Sequence, residues 1–68
     1  MANWARTALE HGCVYAADDN TCIIIGEYEP PLFESDCPYW TVLPRYGSKT
    51  WRVEVQSLEE AFIWAEGQ

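Results

Sequence analysis

Along the chain, apolar positions recur with two different periods, and the change of period divides it into elements. Between Asn3 and Gly12, Trp4, Ala8 and His11 stand at helical intervals; Asn3 is a helix-capping residue type and Gly12 a stopping one, so the spacing predicts a short N-terminal helix. Next, CVYAADDNTCIIIG sets two β-prone runs about Asp18, Asp19, Asn20 and Thr21, all turn-formers, which predicts an antiparallel hairpin of 13–17 with 22–26. In the matching register Cys13 faces Gly26 and Cys22 faces Ala17. Val14, Ala16, Ile23 and Ile25 then share one face, and Cys13, Tyr15, Ala17, Cys22 and Ile24 the other. Both faces are apolar, so the hairpin calls for cover on two sides, by helices or by another subunit.

A second hairpin is predicted from Tyr39–Pro44 and Trp51–Val55 around RYGSKT, with Gly47 and Ser48 suited to the centre of a type II′ turn. Its alternation puts Trp40, Val42, Val53 and Val55 on one face and Thr41, Leu43, Arg52 and Glu54 on the other. Pro44 has no amide to give to a ladder, so its strand lies near an edge or stops there. Ser57 and Glu60 then form a capping-box pattern. Leu58, Ala61, Phe62 and Ala65 stand at i, i+3, i+4 and i+7, the stripe of a helix that packs on a sheet, with Trp64 at its flank and Gly67 at its stop. The resulting expectation is a small α+β fold in one domain over residues 1–68, an antiparallel sheet of about four strands in two hairpins packed by an N-terminal and a C-terminal helix.

Length and charge narrow what such a unit can do. A 68-residue chain buries only about 60% of its unfolded surface, so its four Trp, four Tyr and two Phe carry much of the core. Eleven Asp and Glu against four Lys and Arg give a net charge of −7, which disfavours direct binding to nucleic-acid phosphates. The same charge is drawn to a protein groove built for nucleic acid, although many small proteins are acidic simply to stay soluble. No secretory signal pattern opens the sequence and no apolar run approaches the ~20 residues of a membrane span, so a soluble, cytoplasmic protein is expected.

Chemistry at a catalytic site finds little support. Three cysteines do not suit a closed disulfide framework, and a reduced state is the simpler assignment. His11, Cys13, Cys22 and Cys37 include the right atoms for zinc, but only His11 and Cys13 are near each other, whereas structural zinc ligands come in close pairs. His11 and Cys13 have no evident third residue to orient them as a nucleophile and base. Asp18 with Asp19, and Glu59 with Glu60, read as turn and first-turn helix residues rather than as paired acid and base in a cleft. We therefore expect a non-enzyme without cofactor or metal.

What remains is binding, and the segment Gly26–Tyr39, GEYEPPLFESDCPY, is the candidate surface. It is longer than the usual link, contains four carboxylates and no Lys or Arg, and comes after a hairpin tipped by Asp18 and Asp19. Alternate residues of an extended strand are ~6–7 Å apart, about the spacing of phosphates along a nucleic-acid strand, so Glu27 and Glu29 match it if Tyr28 stays extended. Pro30 and Pro31 stiffen the middle of the segment. The candidate partner-binding residues are Asp18, Asp19, Glu27, Tyr28, Glu29, Glu34 and Asp36. Tyr28 and Tyr46 are the rings expected to make contact, and Phe33 is expected to tack the segment onto the sheet.

In this profile of a very short, acidic chain with no enzyme motif and carboxylates from Asp18 to Asp36, the protein resembles the phage-encoded anti-CRISPR proteins. The resemblance is one of type and rests on no diagnostic motif. It implies an inhibitor in the host bacterial cytoplasm, a DNA mimic or steric block that binds the nucleic-acid-binding groove of a CRISPR surveillance complex and keeps target DNA out. A different class of function is also open: a small structural or regulatory subunit that forms a homodimer through the apolar hairpin around Ile24, without catalytic activity.

Overall fold

The computed structural model describes residues 3–19, 21–29, 32–44 and 52–67. It is α+β: a five-stranded antiparallel sheet and one C-terminal helix. Strands β1 (Trp4–Leu9), β2 (Gly12–Ala17), β3 (Cys22–Glu27), β4 (Trp40–Pro44) and β5 (Val53–Val55) lie side by side in chain order, and helix α1 (Leu58–Glu66) comes after them. Among the described residues of the connection from β3 to β4, Glu34–Asp36 form a 3-10 turn.

The predicted N-terminal helix is instead β1, which raises the strand count from about four to five. Trp4 pairs with Ala17 and Leu9 with Gly12, so the strand is zipped to β2 over its whole length. Fewer than ten residues separate Asn3 from Gly12, too few for a helix to be stable alone, whereas a neighbouring strand satisfies the same amides at once. Glu10 and His11 make the tight link. Gly12 comes next at φ 140, a conformation side chains rarely adopt, and a Cβ there would run into the Gly26 carbonyl.

The central hairpin has the expected register, with Cys13 opposite Gly26 and Tyr15 opposite Ile24. The next pairing is also as the alternation requires: Trp40 with Val55, Thr41 with Glu54, Val42 with Val53. Pro44 ends β4 opposite Cys22. The RYGSKT turn and Trp51 lie outside the described residues.

Helix α1 covers one face of the sheet. Ser57 caps it, its hydroxyl accepting from the Glu60 amide at 3.1 Å, and Ala61 and Ala65 are buried beneath it. Against them pack Cys13, Cys22, Ile24, Trp40 and Val42, with Leu58, Phe62 and Trp64 at the margin. Gly26 lets the Trp40 ring cross the sheet surface, since a Cβ at that position would overlap the indole. Phe62 closes the far side, its ring 5.1 Å from Trp4 and 5.4 Å from Tyr15. Ile24 is fully buried here, so the residue expected at the centre of a dimer interface belongs to the core. No described helix is long and apolar enough to cross a membrane.

Candidate functional site

The antiparallel ladder fixes where each candidate carboxylate goes. Because β3 runs from Cys22 to Glu27, the Asp18–Asp19 tip lies at one end of the sheet and Glu27 with Glu29 at the other, roughly 17–20 Å away along a six-residue strand. The two groups do not form the single face that chain order suggests.

Asp18 and Asp19 have local work. The Asp18 carboxylate accepts from the Asn3 amide at 3.1 Å while the Asp18 amide donates to the Asn3 carbonyl at 2.9 Å, which ties the start of β1 to the end of β2. Asp19 accepts from the Thr21 hydroxyl at 2.7 Å and its amide at 3.1 Å, a side-chain turn that shapes the hairpin tip. Those bonds, the hydroxyl first, hold its carboxyl below the ordinary value.

The opposite end gathers the rest. Tyr28 donates its amide to the His11 carbonyl at 3.0 Å, which extends the β3 pairing by one residue beyond Glu27. The Glu10–His11 link lies at this end too, with the imidazole 3.8 Å from Glu10 and 3.5 Å from Glu29. Asp36 closes the 3-10 turn, its carboxylate accepting from the Phe33 amide at 3.1 Å. Since Trp40 pairs with both Gly26 and Val55, helix α1 also starts here, bringing Glu59 and Glu60 of its first turn. Six exposed carboxylates therefore share one end: Glu10, Glu27, Glu29, Asp36, Glu59 and Glu60. Of the two described Lys and Arg side chains, Arg6 is held by Glu34 and Arg52 pairs with Glu54 on β5 at 3.2 Å. Glu10, Glu59 and Glu60 were not among the sequence candidates. The signal for them is topological, because each is distant in sequence from Glu27 and reaches it only through strand order.

Glu34 turns the other way. Its carboxylate accepts from Arg6 Nε at 2.8 Å, from the Tyr15 hydroxyl at 3.0 Å and from Cys13 Sγ at 3.3 Å. Arg6 Nη2 reaches on to the Tyr28 hydroxyl at 3.3 Å. Arg6 above all, with help from Cys13 and Tyr15 and against partial desolvation, holds the Glu34 carboxyl below its usual range. Burial first, and then the Glu34 contact, pushes the Tyr15 hydroxyl up; burial likewise pushes up the Cys13 thiol, which makes it a poor nucleophile. Glu34 and Tyr28 therefore pin the connection to the sheet. Phe33 also reverses its expected role. It is 74% exposed, and the ionic anchor beside it holds the segment down instead.

Between this strap and the start of α1 lies an open depression of about 280 Å³, floored by Trp40 and Cys37 and walled by Glu34, Ser35 and Ser57. All three cysteines are free and buried. Among the described residues no group of three or more His, Cys, Asp or Glu side chains is placed to hold a metal ion. Comparison of the chain with protein-family models, with curated proteins and with solved structures finds no significant match, so its geometry alone informs its function.

Proposed function

We propose that the protein is a non-catalytic inhibitor whose carboxylate-rich end occupies a basic, nucleic-acid-binding groove of a bacterial defence complex of CRISPR type and competes there with target DNA. The observation that supports it is the gathering of Glu10, Glu27, Glu29, Asp36, Glu59 and Glu60 at one end of the sheet, while Arg6, whose guanidinium reaches the Tyr28 hydroxyl beside that end, is taken up by Glu34, and Arg52 pairs with Glu54. Like charges gathered at one end repel one another, at small cost while water surrounds them. A cationic groove relieves that repulsion and steers the encounter. In this reading Glu27 and Glu29 stand in place of successive phosphates, and Asp18 and Asp19 serve the fold.

The test uses purified CRISPR surveillance complexes of several types, each with fluorescent target DNA, titrated with the wild-type protein and with a Glu27→Lys/Glu29→Lys variant. The wild type displaces DNA from at least one complex, more weakly as salt rises, and the variant loses at least about tenfold in potency while its circular dichroism is unchanged. A folded double variant that inhibits as well as the wild type would eliminate the acidic-end mechanism.

A further inference from the structure

Helix α1 covers only one face of the sheet, and the other face is apolar as well. Ala5, Thr7 and Leu9 of β1, Val14 and Ala16 of β2, Ile23 and Ile25 of β3, and Leu43 of β4 alternate onto it, set side by side by the register. An antiparallel sheet with one face in water ordinarily alternates apolar inside with polar outside. Here the outer positions of β2 and β3 up to Glu27 are aliphatic or glycine, Thr7 and the buried Thr41 flank them on β1 and β4, Val14, Ile23, Ile25 and Leu43 are half-buried, and Leu9 at the edge is 48% exposed. Charge is confined to the border. Glu27 stands at the end of β3, and Arg52 and Glu54 pair with each other on the β5 side.

We infer that this face is the interface of a homodimer, covered by the same face of a second copy. An apolar centre with a polar rim is the anatomy of an association surface. Strand spacing and rise give β1 to β4 a footprint of roughly 400 Å² per copy, already within the size at which an exposed patch becomes functional. Two such footprints come to about 800 Å², the size of a weak association that shows itself only as concentration rises. A second copy fits because two uncharged sheet centres with the same twist meet without burying an unpaired charge on either side, packing about 10 Å apart as aligned sheets do. The net charge of −7 per chain sets the orientation. A two-fold axis running across the strands sends the two carboxylate-rich ends to opposite poles, whereas an axis along the strands would crowd them together.

Sedimentation equilibrium of the wild-type protein tests this, run from about 10 μM to about 0.5 mM because assembly depends on concentration. The expected result is a mass approaching twice the 7.8 kDa chain, and conversion to a folded monomer by Ile25→Lys. If Ile25→Lys loses its fold, Val14→Thr, which keeps the β-branched shape, must raise the dissociation constant at least about tenfold. A wild type that stays monomeric throughout overturns the inference. So does a dimer that is indifferent to Ile25→Lys or Val14→Thr but lost on Ala8→Pro, whose amide faces the free side of β1 because the bonded pairs alternate from Asn3 with Asp18; that pattern assigns the contact to the β1 edge.

Discussion

Substituting Glu34 by Gln keeps the side chain's size, removes its charge, and tests whether the strap between β3 and β4 is held by that one carboxylate. The single Tyr15 proton is shared between the two Glu34 oxygens, each 3.0 Å away, while Arg6 Nε donates to Oε1; an amide keeps one acceptor oxygen, loses the charge that strengthens the Arg6 bond, and turns its NH₂ towards the Tyr15 hydroxyl. A hydrogen bond to a charged acceptor contributes about 1.5–3 kcal/mol when sheltered. Glu34 is 33% exposed, so water screens part of this, and the expected loss is about 1 kcal/mol. For a domain of this length, that lowers Tm by roughly 4–8 °C. The pH dependence comes from the direction of the shift. A carboxyl held below its ordinary value of 4.5 stabilises the fold fully above that value, and the contribution disappears as pH falls through the depressed native one. Thermal melts recorded by circular dichroism should therefore show wild type and Glu34→Gln separated at pH 7 and converging on acidification. In a double-mutant cycle Tyr15→Phe should recover about 0.5 kcal/mol or more as coupling with Glu34. Equal melting temperatures at pH 7, or a gap that does not close in acid, would refute the anchor.

Two further substitutions probe how the core is closed. Gly26→Ala forces a methyl group into the Trp40 indole, and should cost about 1–3 kcal/mol with a change in tryptophan fluorescence; an unshifted urea midpoint would deny the close crossing. Ser57→Ala removes the acceptor for the Glu60 amide and should lower stability by about 1 kcal/mol in the same urea titration, while Ser57→Gly costs only a few tenths.

The parts of the fold legible in the sequence are those whose pattern is local. The Asp18–Thr21 turn residues fix the register that puts Cys13 opposite Gly26, and the alternation of Trp40, Val42, Val53 and Val55 fixes the next pairing. Ser57 and the stripe from Leu58 to Ala65 mark the helix. Strand β1 is hidden because Trp4 and Ala8, four residues apart, share a face in a helix and equally in a strand. What separates the two readings is a partner, and β2 is that partner. Which face of the β2–β3 hairpin receives the helix is equally hidden, since both are apolar. The site is the least legible part: Glu34 lies 28 residues from Arg6 and 19 from Tyr15, in a segment with no periodicity to say which way it turns. Glu27 and Glu29 stand at the end where the segment is expected to present them, and Asp18 and Asp19 do not join them.

Every strand of this sheet pairs with the next one along the chain. The clasp between Trp4 and the helix is different in kind: its indole meets the Phe62 ring at 5.1 Å and donates to Glu66 at 3.4 Å, across 62 positions of sequence. Neighbouring strands can join in turn with little loop closure, so the meander assembles quickly, and a contact spanning nearly the whole chain is the last to form. Interactions that arrive after the rate-limiting barrier slow escape from the native state without hastening arrival. Cutting the Trp4 clasp, as in Trp4→Ala, is therefore expected to speed unfolding more than it slows folding, which stopped-flow measurement of both rates would check.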